Sequence, residues 1–146
     1  MKIMAVDYGD SRTGLAMCDR TEFLASPLGT IEEKNFAKTA EKLVFAAKEY
    51  EAGMIVIGLP KNMDGTEGVR AEKSRKLAAI LQPATGLPVI LWDERSTTKT
   101  ADALLTESGT YGKKRKQVRD AVAAVVILES YLAYRKNHQE NDDVKE

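Results

Sequence analysis

An α/β fold built on a mixed sheet is what this sequence predicts, and three observations carry the prediction. Two compact apolar runs, "MIVIGLP" (54–60) and "LPVILW" (87–92), have the unbroken hydrophobicity of parallel strands covered on both faces. Both runs alternate with stretches of helical apolar spacing, the pattern that right-handed crossovers between parallel strands require. The opening segments "KIMAVDYG" and "GLAMCD" are joined by the turn "DSRTG" and form an antiparallel hairpin at one edge.

In order, the first strand sets Ile3, Ala5 and Asp7 on one face and Met4, Val6 and Tyr8 on the other. Gly14 admits a close approach or bend in the second strand. A third short strand is expected over "SPLGTI" (26–31). A helix follows, capped by Asn35, with Phe36, Ala40, Leu43, Ala47 and Tyr50 along one face, ending near Gly53. After the strand that Pro60 ends comes the polar loop "KNMDGTEG", then a helix from Glu67 to Gln82 with Pro83 beyond it. The last strand stops at "DERST", where Ser96 or Thr97 caps a helix carrying Ala101, Leu104 and Leu105. "ESGTYGKKRK" reads as a basic loop, and a final helix runs from Gln117 to Arg135. The order is therefore β-β-β-α-β-α-β-α-α.

A chain of 146 residues fits one domain with a true core. Apolar residues make up 43% and charged residues 30%, and no apolar run approaches the ~20 residues of a bilayer span. With no cleavage site after Lys2, nothing reads as an export signal, so a soluble, cytoplasmic protein is expected. The single cysteine, Cys18, excludes an internal disulfide and a thiolate metal cluster. The single histidine, His138, falls in a polar stretch without apolar period, so residues 1–137 are expected to form the domain and 138–146 a disordered acidic tail. A hydrolytic site must then be built from carboxylates, lysines or hydroxyls, and carboxylates favour hard cations such as Mg2+ or Mn2+.

Net charge is zero, but its distribution is uneven: the tail carries −3 and residues 1–137 carry +3. "KKRKQVR" (113–119) holds five basic residues in seven, which reads either as a solvated loop or as a phosphate-binding patch.

In open α/β sheets, ligands bind beyond the carboxyl ends of the parallel strands. Asp7 and the pair Asp93–Glu94 fall there, the strands that carry them being candidates for neighbours at the sheet centre, and Asp120 falls in the first turn of the terminal helix. Three converging carboxylates raise one another's pKa unless a divalent cation neutralises them. Each acid also has an ordinary structural reading. Asp7 can pair with Arg12, Asp93 or Glu94 can bond Arg95 or cap a helix, and Asp120 can favour the positive end of a helix dipole.

The stretches "DYGDSRTG" (7–14), "GLPKNMDGTEG" (58–68), "DERSTT" (93–98) and "KRKQVRDAVAAVVILESYL" (114–132) together resemble the YqgF or RuvX family, in the family's order and over nearly the whole chain. The resemblance implies a ribonuclease H-like, three-layer fold with a five-stranded mixed sheet. It also implies a metal-dependent nuclease that matures the 5′ end of 16S ribosomal RNA or, alternatively, a Holliday junction resolvase cleaving branched DNA. Carried over by position, it makes Asp7, Glu94 and Asp120 the catalytic acids and metal ligands, with Asp93 as the alternative to Glu94. Two Mg2+ or Mn2+ ions about 3.5–4 Å apart would serve both the attacking water and the leaving oxygen. Arg12, Lys113, Lys114, Arg115 and Lys116 would grip backbone phosphates, in a monomer or homodimer without a membrane partner. One departure stands out: related RuvC resolvases carry an acid on the strand matching "MIVIGLP", and this chain has none there. Two other classes remain in view, an actin-like phosphotransferase module and a non-catalytic nucleic-acid-binding domain.

Overall fold

The computed structural model of the chain describes residues 1–94 and the backbone of 112–145, with side chains of the latter stretch from 121 to 138. Its elements are β1 (Ile3–Asp7), β2 (Arg12–Cys18), β3 (Ala25–Glu32), α1 (Phe36–Glu49), β4 (Met54–Leu59), α2 (Val69–Thr85), β5 (Val89–Asp93) and α3 (Gly112–Lys145). The helix expected after Ser96 or Thr97 lies outside the described residues.

The five strands form one mixed sheet in the order β3-β2-β1-β4-β5. β1 pairs antiparallel with β2 and parallel with β4, and β4 pairs parallel with β5. β1, β4 and β5 are therefore neighbours as the sequence suggests, with β1 at the centre and β5 at the far end of the order. The alternation read from "KIMAVDYG" holds: Met4, Val6 and Tyr8 enter the core under α1 and α2, while Ile3 and Ala5 enter the core under α3. Residues such as Leu43, Ile57, Leu77 and Leu128 are fully buried in these two layers. Each such side chain contributes about 1.5–3 kcal/mol by leaving water.

Local chemistry sets the helix ends. Asn35 accepts the Lys38 N–H at 3.0 Å and caps α1 as expected. α2 starts at Val69 and runs through Pro83 to Thr85, three residues past the expected end at Gln82. A proline in the last turn forfeits one backbone bond only. The effective stop is Gly86, left-handed at φ 71°, whose N–H reaches the Gln82 carbonyl at 2.9 Å.

The terminal helix departs most from expectation. It begins at Gly112, so Lys113–Lys116 belong to its first turns rather than to a loop. Its backbone also continues as helix to Lys145. Lysine and arginine are good helix formers, no glycine or proline follows Gly112, and a nucleated helix propagates at one bond per residue. Among the described residues no helix is long and apolar enough to cross a membrane.

Cys18 closes β2 inside the α3-side core, where its sulfur accepts the Ile3 N–H at 3.2 Å. Burial pushes its thiol pKa up.

Candidate active site

The carboxyl ends of β1, β4 and β5 finish side by side, since Val6 pairs with Ile57 and Leu59 with Asp93. Alternation then sorts the residues at that rim. Ile3 and Ala5 face α3, and so does Asp7; Met54 and Val56 face α3, and so does Gly58. Ile90 and Trp92 pack on the same side, which assigns Glu94 to the α3 face and Asp93 to the opposite one.

Glu94 is only 9% exposed, and its backbone N–H bonds the Leu59 carbonyl at 3.3 Å. Its carboxylate lies over Gly58: a methyl group there would overlap Oε2 of Glu94 and come within 2.6 Å of Ile127 Cδ1. β4 thus contributes no acid to the rim because its side-chain space is filled by the acid from β5. Burial, and then the adjacent Asp93 charge, raise the pKa of Glu94, while the Arg70 cation pulls it down.

Asp120 lies in α3 two turns before Ile127, at the spacing of the buried residues Ala124, Ile127 and Tyr131. Tyr131 Oη meets Met54 Sδ at 3.6 Å at the start of β4, whereas Ile127 stands at Gly58 near its end. α3 therefore runs against β4, and its amino-terminal end lies at the rim that holds Asp7 and Glu94. The side chains of Asp120 and of Lys113–Lys116 lie outside the described residues. Among the described residues no three His, Cys, Asp or Glu side chains form a metal-holding group. Of the expected site acids, the described side chains are those of Asp7, Asp93 and Glu94.

The β1–β2 turn completes the rim. A methyl on Gly9 would overlap the Arg12 carbonyl oxygen, a backbone atom that cannot move aside, so the turn requires glycine. Its N–H reaches the buried Thr13 hydroxyl at 3.4 Å. Arg12 opens β2 on the face that carries Asp7, by alternation from Ala16 and Cys18. Two bonds tie the turn to α2. Arg70 Nη2 donates to the Tyr8 carbonyl at 2.9 Å, and Lys73 Nζ meets Asp10 at 2.7 Å, holding the Asp10 carboxyl below its usual pKa. Sequence reasoning missed Arg70 and the role of Gly58. A glycine inside an otherwise bulky apolar strand was the one available signal.

Gly58→Ala is expected to cost about 1–3 kcal/mol, because both overlapped groups are side-chain ends that can shift. It should also reduce activity by moving Glu94. Thermal denaturation and a cleavage assay on the same preparation check both effects.

A five-stranded sheet in this order, with acids at the ends of β1 and β5, is a ribonuclease H-like fold. RuvC from Thermus thermophilus superposes with a TM-score of 0.59 at 12% identity, covering 94% of this chain and 97% of RuvC. The fowlpox virus resolvase bound to Holliday junction DNA gives 0.60 at 12% identity, covering 92% of this chain and 98% of the resolvase. At such identities the likeness is one of fold. The sequence is more specific, because residues 1–134 match the family model described as "RuvX: Holliday junction resolvase". The chain belongs to the RuvX family. A relative from Thermoanaerobacter pseudethanolicus is 43% identical over 138 residues, covering 94% of this chain and 99% of its own. One from Listeria monocytogenes is 44% identical over 136 residues, covering 90% and 97%. Both bear the provisional name pre-16S rRNA nuclease. The chain is thus a member of a family of phosphodiester-hydrolysing nucleases, a class that generally uses divalent metals.

Proposed function

We propose that this protein is a metal-dependent endonuclease that processes the 5′ end of precursor 16S ribosomal RNA in the cytoplasm, with residues 1–137 as the nuclease domain. What supports the reading is that strand alternation assigns Asp7 and Glu94 to one face at the carboxyl ends of β1 and β5, in a RuvX chain whose relatives bear the nuclease name.

The donor set fits a hard cation. Glu94 is a buried carboxylate whose ionised form is disfavoured by burial and by Asp93, and a divalent ion offsets both. Asp7, Glu94 and Asp120 would hold two Mg2+ or Mn2+ ions, and Asp93, on the opposite face, is the weaker candidate. When bound, such ions make water nucleophilic at neutral pH and stabilise the leaving oxygen. The protein's own part is to fix the acids and bind the substrate backbone. Arg12 on the site face and Lys113, Lys114, Arg115 and Lys116 at the rim end of α3 supply cations for phosphates flanking the cut.

Replacing Lys113, Lys114, Arg115 and Lys116 by alanine is expected to weaken RNA binding and flatten the slope of log affinity against log salt. The slope should change by about 0.7–0.9 for each phosphate that is no longer neutralised. Alanine keeps the helix, so the melting temperature should hold. An unchanged slope in the folded variant would limit phosphate binding to other residues.

The family description favours branched DNA as the second reading, which calls for paired sites in a homodimer, whereas a monomer suffices for an RNA end. Labelled precursor rRNA and a four-way DNA junction, each incubated with the purified protein in Mg2+ and in Mn2+, decide between them. Cleavage of the RNA alone is the expected result. Paired nicks in the junction alone would favour the resolvase reading, and cleavage of neither would overturn both.

A further inference from the structure

Between β3 and α1 the structure holds a cavity of about 430 Å³, a size that suits a ligand or a short peptide segment. It lies at the β3 end of the sheet order, opposite the end formed by β5. Its floor is apolar: Leu15 is buried, and Leu28 and Ile31 of β3 are half-buried against the same core. Its wall is the second half of α1, where Phe45 stands 67% exposed. A benzyl ring left in water beside an apolar floor forgoes a gain of burial that an occupant of the cavity would recover.

Charge narrows the choice of occupant. The charged residues lining the cavity are Glu41, Lys42 and Glu49. Lys42 Nζ is engaged by Glu33 at 3.0 Å, so the cavity offers an occupant two carboxylates. Glu41, Phe45 and Glu49 recur at every fourth residue, which sets them on one side of α1 as acid, ring, acid. At a rise of about 1.5 Å per residue the two acids stand about 12 Å apart along the helix. In an extended chain, side chains four residues apart point the same way and stand about 13 Å apart. An extended segment with basic residues at that interval therefore matches both carboxylates at once and sets the side chain midway between them on Phe45. A helix about 10–12 Å across would need about twice the cavity's volume over the same length.

We propose that the groove between β3 and α1 is a docking site for an extended basic segment of a partner protein. Two cations four residues apart meet Glu41 and Glu49, and an apolar side chain between them covers Phe45.

The test uses two fluorescein-labelled heptapeptides of identical composition, VRTLTRV and VRTLRTV. The first carries both arginines and the leucine on one face of a strand, and the second turns one arginine to the other face. In anisotropy titrations of the full chain at about 50 mM salt, where surface charges are weakly screened, VRTLTRV should bind about fivefold tighter than VRTLRTV. Glu41→Gln and Glu49→Gln should each weaken VRTLTRV about fivefold and abolish the preference, and Phe45→Ala should weaken it about tenfold. All three side chains are exposed, so the melting temperature should hold and separate binding from folding. Equal affinity of the wild type for the two peptides, or binding of neither, would overturn the proposal, as would unchanged binding in the folded variants. Self-association of the wild type in sedimentation, lost in Phe45→Ala, would overturn it in favour of a second copy of this chain as the occupant.

Discussion

Asp7→Asn should abolish cleavage, lowering kcat/KM by more than about two orders of magnitude, beyond the 10–100-fold typical of losing an outer partner of a metal ligand. The substitution keeps the shape of the side chain and its strand, and it removes the charge that a cation at the rim needs. The melting temperature should therefore hold. Calorimetric titration with Mn2+ supplies the independent reading: binding should weaken with activity. A variant that unfolds while the surviving protein retains specific activity would identify Asp7 as a structural partner of Arg12.

Glu94→Gln should be nearly as damaging to activity while raising the stability of the metal-free protein. Burial raises the folded-state pKa of Glu94 above its unfolded value. Between those two values the native state binds more protons than the unfolded state, so stability falls as pH rises through the interval. The loss begins near the usual glutamate pKa of about 4.3 and is complete above the raised folded value. Glutamine carries no such penalty. The metal-free variant should therefore melt higher than wild type at neutral pH, with the difference shrinking as the solution is acidified. Excess Mg2+ should stabilise the wild type more than the variant. Asp93→Asn should cost less than about tenfold in activity, because alternation sends Asp93 to the other face. Reversed rankings of the two substitutions would place the working acid on the α2 side.

How far the sequence is legible depends on how local the signal is. The faces of β1 follow from five residues of alternation, and the cap at Asn35 from one side chain and the helix after it. Asp7 stands out because an acid ending a buried strand needs a reason. Glu94 and Asp93 separate only once β5 is assigned to a sheet, since adjacent acids look alike until alternation has an inside. The seat of Glu94 over Gly58 depends on the register between two strands joined by a whole helix. Arg70 gives no local signal, because one arginine in a polar helix start looks like any other and its partner lies 62 residues away. The start of α3 misleads for a physical reason: four basic residues in a first turn oppose the helix dipole and read as a loop. The continued helix beyond Gly112 offsets that cost with backbone bonds.

The buried sulfur at the end of β2 makes this protein easy to instrument. A thiol that is 3% exposed, with its pKa raised by burial, has little thiolate to offer and little access for a maleimide. With one cysteine in the chain, the native protein behaves toward alkylating dyes as if it had none. Met63, 86% exposed in the loop between β4 and α2, can be exchanged for cysteine and labelled alone without first deleting Cys18 from the core. A fluorophore there sits on the loop that follows β4, so its emission offers a real-time readout for the nucleic-acid binding experiment proposed above, before any bond is cut.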